Sequence, residues 1–508
     1  MKEKFFKSNL LILFSLFLIG FIVHFKSFQL VPYGDDWKFI YNYYTHEERG
    51  MHIHNYPGIF AYLAPYGPSI LTIGLTYDLF KSTYFVYYLI PLIFKALTAF
   101  LLFLTLKNIA KSYNRNNDFT NFLAATLFMV SITAIQAIDW AMNTYVYIAL
   151  SFFTLGLFFY SKYYINLKVS SLILGFLMFV FSIIFAPTRF TPFVLILPLI
   201  DLIMVISKRD KSFTKMIILK NIVFFIIAYI FLQIGIFGEP GQLDNAGRIQ
   251  EFINGSTADL HLSFVIFMHW ISVTILPVYP SSGINITAIT GAALIGGIIW
   301  AFFKSRSEWL IIASLIFFIT LGIMWIISPL KPTDSADRYL VVPFFGLCFL
   351  IGLLFIFLEK LRKVLLIGVL FLFVLQIYWV DKIYANWIAN GRGKDFIIPA
   401  EKIIISHFPG PISEPKMIFL DFDDGAVQQS VVFGLGFRVA LLSGTRNIEL
   451  VPNSYSNKDT LISLIKEELL KSQDKEKIIG NVSAFQYRKK IFTDITFIFQ
   501  EELRKEIE

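Results

Sequence analysis

The sequence predicts a mainly α, polytopic membrane protein of about eleven transmembrane helices with a small C-terminal α/β domain outside the membrane. Three observations carry that expectation. Of 508 residues, 56% are hydrophobic, 56 are Phe and only 16% are charged, with a mean hydropathy of +0.65; a soluble globular chain cannot hide that much apolar surface. Apolar runs of membrane-crossing length recur through residues 1–380. After Asp381 the composition turns mixed and polar, which divides a transmembrane part, 1–380, from an extracytoplasmic part, 381–508, of ordinary domain size.

The elements follow in order. MKEKFFK precedes the apolar run 10–23, and no small-residue cleavage site comes after it, so an uncleaved first helix is expected near 8–25. Further spans are expected near 84–106, 119–138, 144–160, 170–186, 190–207 and 217–237. Lys107, Lys111 and Arg115 follow the second, Lys162 and Lys168 the fourth, and Lys208, Arg209, Lys211 and Lys215 the sixth. Together with Lys2, Lys4 and Lys7 they put the N-terminus in the cytoplasm and the long loop 26–81 outside. The stretch FVIFMHWISVTIL, 264–276, is short for a span. If it crossed, Lys304, Arg306, Lys360, Arg362 and Lys363 would all lie outside, so it is expected to lie in the interface or to re-enter. Spans near 286–303, 309–328, 338–358 and 364–380 complete the count and leave the C-terminal part external. Within that part KMIFLDF reads as a strand, TLISLIKEELLKS as an amphipathic helix and KKIFTDITFIFQ as a final strand.

Composition also excludes some functions. The net charge of +8 has its source in basic cytoplasmic loops, not in a nucleic-acid surface. A single cysteine, Cys348, excludes disulfides and cysteine metal clusters. No internal repeat, P-loop or Gly-rich dinucleotide motif is present.

The chemistry-bearing residues cluster at the external face. YGDDW, residues 33–37, sets Asp35 beside Asp36 in the first external loop, with Trp37 as an interface anchor. Adjacent side chains point apart on a strand or a helix, so one of the two should face a substrate. Asp139, in QAIDWAMNTY, lies in the short loop after the third span; Arg189, in APTRFTP, occupies a turn at the depth of a lipid phosphate. Asp337 and Arg338 open the tenth span in DRYLVVPFFGL. His52 and His54, with an aspartate, have the donor types of a divalent-metal site, and Arg248 and Glu251 lie on a short external helix. DFDDG, 421–425, reads as strand-end turn chemistry.

An acid pair in the first external loop, NYPG at 55–58, TRFTPFVLILPLI at 188–200 and DRYLVVPFFGL at 337–347 together resemble the type C glycosyltransferases. These polytopic enzymes include protein O-mannosyltransferases, lipid A aminoarabinose transferases and mycobacterial arabinosyltransferases. The resemblance covers about residues 8–380. It implies a polyprenyl-phosphate sugar donor, a glycan, lipid or protein acceptor, and an inverting transfer at the extracytoplasmic face of the membrane. Asp35 or Asp36 would be the general base. Arg189 and Arg338 would steady the departing phosphate, with Asp139, His54, Arg248 and Asp337 as accessory residues. A divalent metal ion is the one cofactor left open. Two competing functions are a transporter of lipid-linked oligosaccharides and a surface-polysaccharide polymerase or ligase. Transporters show internal pseudo-symmetry and midplane ionisable sites; here the acids gather at one face. Polymerases and ligases place their large external loop late, and here it comes first.

Overall fold

The computed structural model describes residues 8–45, 67–115, 117–186, 193–208, 211–235, 260–277, 284–305, 307–327, 335–471 and 474–507. They are mostly helical, with one small mixed sheet. Helix α1 (Asn9–Val23) leads through a 3-10 turn, Phe25–Gln29, to α2 (Asp35–Thr45) and α3 (Gly67–Phe80). A bundle follows, built from α4 (Phe85–Ser112), α5 (Asp118–Val130), α6 (Gln136–Asp139), α7 (Thr144–Asn166), α8 (Val169–Phe185), α9 (Phe193–Lys208) and α10 (Lys211–Gly235). It is completed by α11 (Leu260–Ile275), α12 (Ile284–Ser305), α13 (Glu308–Ile327), α14 (Val341–Phe357) and α15 (Arg362–Trp387), after which α16 (Lys394–Ser406) leaves it.

Among the described residues, four helical stretches are long and apolar enough to cross a membrane: Phe85–Ser112, Ala141–Asn166, Arg338–Phe357 and Glu359–Arg392. These are helices of a membrane protein; α4 alone is about 42 Å long at 1.5 Å per residue. Eight shorter apolar helices accompany them. α14 lies at the centre of the bundle, whereas α15 turns Val364, Ile367, Phe371 and Val374 outward, a surface suited to lipid. All but the last residue of the stretch 264–276 lies within α11, whose Trp270, Ile271 and Val273 are buried in the main core.

Polar pins fix the segment after α5. The last carbonyls of a helix lack intrahelical donors, and here other helices supply them. His24 Nε2 donates to the Met129 carbonyl at 3.0 Å and Lys95 Nζ to the Ser131 carbonyl at 3.4 Å. With its proton on Nε2, His24 accepts from the Tyr384 hydroxyl at Nδ1, 3.1 Å away. The Ile132 amide donates to Gln376 Oε1 at 2.8 Å. Further on, the Ala134 and Gln136 amides donate to the carbonyls of Ser335 and Ala336 at 2.8 and 3.0 Å. The stretch bearing Asp139 and Trp140 is thereby held against the start of α14.

The C-terminal part contains β1 (Met417–Phe422), α17 (Gly425–Val432), α18 (Leu435–Ser443), β2 (Asn453–Tyr455), α19 (Lys458–Lys471), α20 (Lys475–Gly480), β3 (Val482–Arg488), β4 (Ile491–Asp494) and α21 (Thr496–Ile507). The sheet order is β2-β1-β3-β4. β1 is parallel to β2 and β3, with Leu420 opposite Phe485, and β4 returns antiparallel with Phe492 opposite Tyr487. The final strand expected over KKIFTDITFIFQ is corrected: it ends at Asp494, whose Oδ1 accepts the Thr496 amide at 2.8 Å and caps α21. Turn chemistry at DFDDG holds, since Asp424 Oδ1 accepts the amides of Ala426 and Val427 at 3.0 and 3.2 Å. One apolar cluster joins the two parts of the chain: Leu30, Val31, Trp37, Phe39 and Ile40 share it with Val427, Val431, Leu435 and Val439.

Candidate functional site

The YGDDW stretch folds as a helix start that sorts its two acids. The Asp36 and Trp37 amides reach back to the carbonyls of Tyr33 and Gly34 at 3.1 and 3.2 Å, opening α2. Asp36 Oδ2 in turn accepts the Tyr33 amide at 2.9 Å, which closes the turn ahead of the helix. Its other oxygen, Oδ1, accepts the Met142 amide at 2.8 Å and ties the first loop to the second. Trp37 Nε1 donates to the Pro32 carbonyl at 2.8 Å. Asp36 is fully buried. Burial pushes its carboxyl up to about 7, against the pull of the two amide donors and of Arg392. Asp35 is half-buried, and among the described residues its carboxylate has no hydrogen-bond or ion-pair partner.

Arginines and aromatic rings form the other side of the site. Arg392 lies 4.3 Å from the Tyr33 ring centre. Tyr33 stacks on Trp140 at 6.2 Å, and Arg338 lies 4.1 Å from the Trp140 ring centre. Two guanidinium groups thus bracket a stacked aromatic pair, each within cation–π range. Arg338 is half-buried and Arg392 buried. Arg392 donates from Nη1 to Asp139 Oδ2 and from Nη2 to the Asp139 carbonyl at 3.4 Å. Asp139 is buried as well; burial raises its carboxyl above the ordinary range, with Arg392 pulling it down. Its Oδ1 and the Arg392 Nε are buried with no partner among the described residues. A helix break at 388–392 between α15 and α16 presents Arg392, and the Val31 amide donates to the Arg392 carbonyl at 3.2 Å.

A second buried pair stands next to the first. Arg438 donates to Glu401 and to the Tyr84 hydroxyl at 3.3 Å, and lies 4.4 Å from the Trp37 ring centre. Burial raises the Glu401 carboxyl, with Arg438 pulling it down. Tyr33, Trp37, Arg392, Glu401, Phe433 and Arg438 enclose a cavity of about 30 Å³, room for one or two waters. Glu401 also borders an open groove of about 590 Å³ with Ser82, Tyr84, Lys402, Ser406 and Leu442. A third hollow, an apolar cleft of about 460 Å³ among Leu195, Pro198, Leu199, Phe225, Ile319 and Ile323, lies between α9, α10 and α13.

Of the residues singled out from sequence, Asp35, Asp36, Asp139 and Arg338 come together around Tyr33 and Trp140. Asp337 adjoins Arg338, but its Oδ1 accepts the Tyr339 amide at 2.9 Å, so it caps the turn that starts α14. His52, His54, Arg189, Arg248 and Glu251 lie outside the described residues. Arg392, Arg438 and Glu401 were not foreseen. NGRGK around Arg392 carries no motif, and its partner Asp139 is 253 residues away. Among the described residues no three His, Cys, Asp or Glu side chains gather as a metal site.

No family model matches the sequence, and no curated protein does. Among solved structures, the chain is similar to the archaeal oligosaccharyltransferase AglB from Archaeoglobus fulgidus in complex with an inhibitory peptide and a dolichol-phosphate. The identity is 14% over 94% of this chain and 69% of that chain, with a TM-score of 0.43. It is also similar to the Archaeoglobus fulgidus oligosaccharyltransferase in the apo form, at 12% identity, the same coverages and a TM-score of 0.48.

Proposed function

We propose that this chain is a multi-pass membrane glycosyltransferase of the type C class. It moves a sugar from a polyprenyl-phosphate donor to a hydroxyl of a glycan, lipid or protein acceptor at the extracytoplasmic face, with inversion. The observation that carries the reading is the division of labour among the acids. Asp36 is occupied by two backbone amides and Asp139 by Arg392. Asp35 alone of the three offers a half-buried carboxylate without a partner among the described residues, next to the Arg392–Tyr33–Trp140–Arg338 array.

In this mechanism the acceptor hydroxyl attacks the anomeric carbon as Asp35 takes its proton. The bond from that carbon to the phosphate oxygen breaks, and the lipid phosphate leaves with the electron pair. Arg338 receives the growing negative charge, a planar fork suited to phosphate, and Arg189, in APTRFTP, would join it. Arg392 holds Asp139 and adds positive potential behind Tyr33. The apolar cleft between α9, α10 and α13 is suited to the polyprenyl tail. The segment 381–508 would form the extracytoplasmic unit, and the open groove beside Glu401 and Tyr84 would take the acceptor. A divalent ion fits the described donors poorly, because only Asp35 and Oδ1 of Asp139 are left without partners and no third acid, His or Cys side chain gathers with them among the described residues.

The test supplies purified protein in lipid nanodiscs with labelled polyprenyl-phosphate hexose or pentose and with glycan, lipid or peptide acceptors. Asp35→Asn is expected to lower turnover by about 10²–10⁴-fold, the range for loss of a general base, and Arg338→Ala by on the order of a hundredfold. Full turnover by Asp35→Asn would remove the base and the reading with it.

A further inference from the structure

The α17–α18 hairpin packs against the turn that carries Arg392 and against the YGDDW stretch. Its two helices are bent by 44° at Phe433 and Gly434. Along α17, Val427 presses on the turn that carries Arg392: a Cβ at Gly391 would stand 2.9 Å from Val427 Cγ1. At the apex, the Phe433 ring packs against Tyr33, centre to centre 5.4 Å. It also fills the space beside Gly34, where any Cβ would overlap it. Gly34 and Gly434 have φ of +57° and +81°, and a Cβ on Gly434 would collide with the Gly34 carbonyl. Both positions need a residue with no side chain, for backbone conformation and for space alike. One turn into α18, Arg438 reaches Trp37. The residues on both sides of the acid pair are therefore seated on one hairpin, while Asp35 itself has no partner among the described residues to aim it.

We propose that Phe433 is a positioning residue for the transfer reaction. Packed on Tyr33 and Gly34, it fixes the direction of the Asp35 carboxylate, and through Val427 the same hairpin sets the spacing between Asp35 and Arg392. This rests on the reading of Asp35 as the base. Ordering the site then requires the C-terminal part of the chain, and a displacement of about 1 Å at the base is enough to cost on the order of a hundredfold in rate.

Phe433→Ala and Phe433→Tyr separate this role from general stability. Hydrogen–deuterium exchange at the amides of 31–37 is read first, because it needs no activity. Phe433→Ala is expected to speed exchange there and to leave α4 and α14 unchanged, whereas Phe433→Tyr exchanges like the unmodified chain. In the transfer assay Phe433→Ala is expected to lose kcat by on the order of tenfold to a hundredfold, with the donor KM within about threefold because the arginines that grip phosphate are intact. Phe433→Tyr should restore kcat. If Phe433→Ala does not fold, Phe433→Leu keeps apolar volume without the ring and is read in the same way. Unchanged exchange at 31–37, or faster exchange with unaltered kcat, overturns the proposal. An unmodified chain that transfers from none of the donors overturns the glycosyltransferase reading instead, and the exchange result still decides whether Phe433 places the loop.

Discussion

Asp35 and Asp36 are adjacent in the chain and opposite in environment, which gives them separate tests. Folded Asp36 keeps its proton up to about 7, whereas the unfolded group loses it near 3.8. Between those values the folded state binds more protons, so stability falls as pH rises. The gap corresponds to ~4 kcal/mol at about 1.4 kcal/mol per pH unit, lost between pH 4 and 7 and constant above. Asp36→Asn does not titrate. The stability advantage of the unmodified chain over Asp36→Asn in detergent unfolding curves should therefore shrink from pH 4 to 7 and then level off. An advantage that stays flat across that window would mean that the carboxyl is ionised throughout. The acids of this site were legible because a DD pair in a loop and a short QAIDW turn are local signals. Arg392 was not, because its meaning depends on a helix break and on a partner far away in sequence.

At the scale of helices, a buried ion pair holds the α9–α10 pair to α7. Lys220 on α10 donates to Asp201 on α9 and to the Tyr160 hydroxyl, and Tyr164 donates to Asp201 Oδ1 at 2.6 Å. Both charged side chains are buried, Asp201 to 1% exposure. Removing one partner strands the other in an apolar bundle, at a cost of about 3–5 kcal/mol, whereas replacing both with apolar residues is far milder. Lys220→Met should thus lower the thermal midpoint more than Lys220→Met combined with Asp201→Leu. A double variant less stable than the single one would show that the pair contributes net attraction rather than mutual compensation. The apolar runs disclosed α4, α7 and α14, since length and hydropathy suffice for a span. They did not disclose this pair, because one lysine and one aspartate among flanking charges look alike whether they face water or each other. The end of β4 was misjudged for a related reason: ITFIF suits a strand until Asp494 caps a helix.

For the whole molecule, the consequential fact is that the composition boundary near 381 does not coincide with a gap in packing. Val427, Val431, Leu435 and Val439 are almost fully buried in the cluster that also takes Leu30, Val31, Trp37 and Ile40 from the first loop. Four aliphatic side chains buried at about 1.5–3 kcal/mol each put on the order of 6–12 kcal/mol of apolar burial into that shared cluster. That is comparable with the entire stability of a domain. Arg438–Glu401 and the close contact of Gly34 with Gly434 lie within the same seam. The first loop and the C-terminal part should therefore unfold together. Calorimetry of the protein in nanodiscs is expected to show the C-terminal part melting in the same transition in which Trp37 fluorescence changes. Val431→Asp, which buries a charge in the seam, should lower both signals by the same temperature. If that variant moved the C-terminal transition alone and left the Trp37 signal in place, the seam would be a contact between independent domains, and the hairpin would have no hold on the loop that carries Asp35.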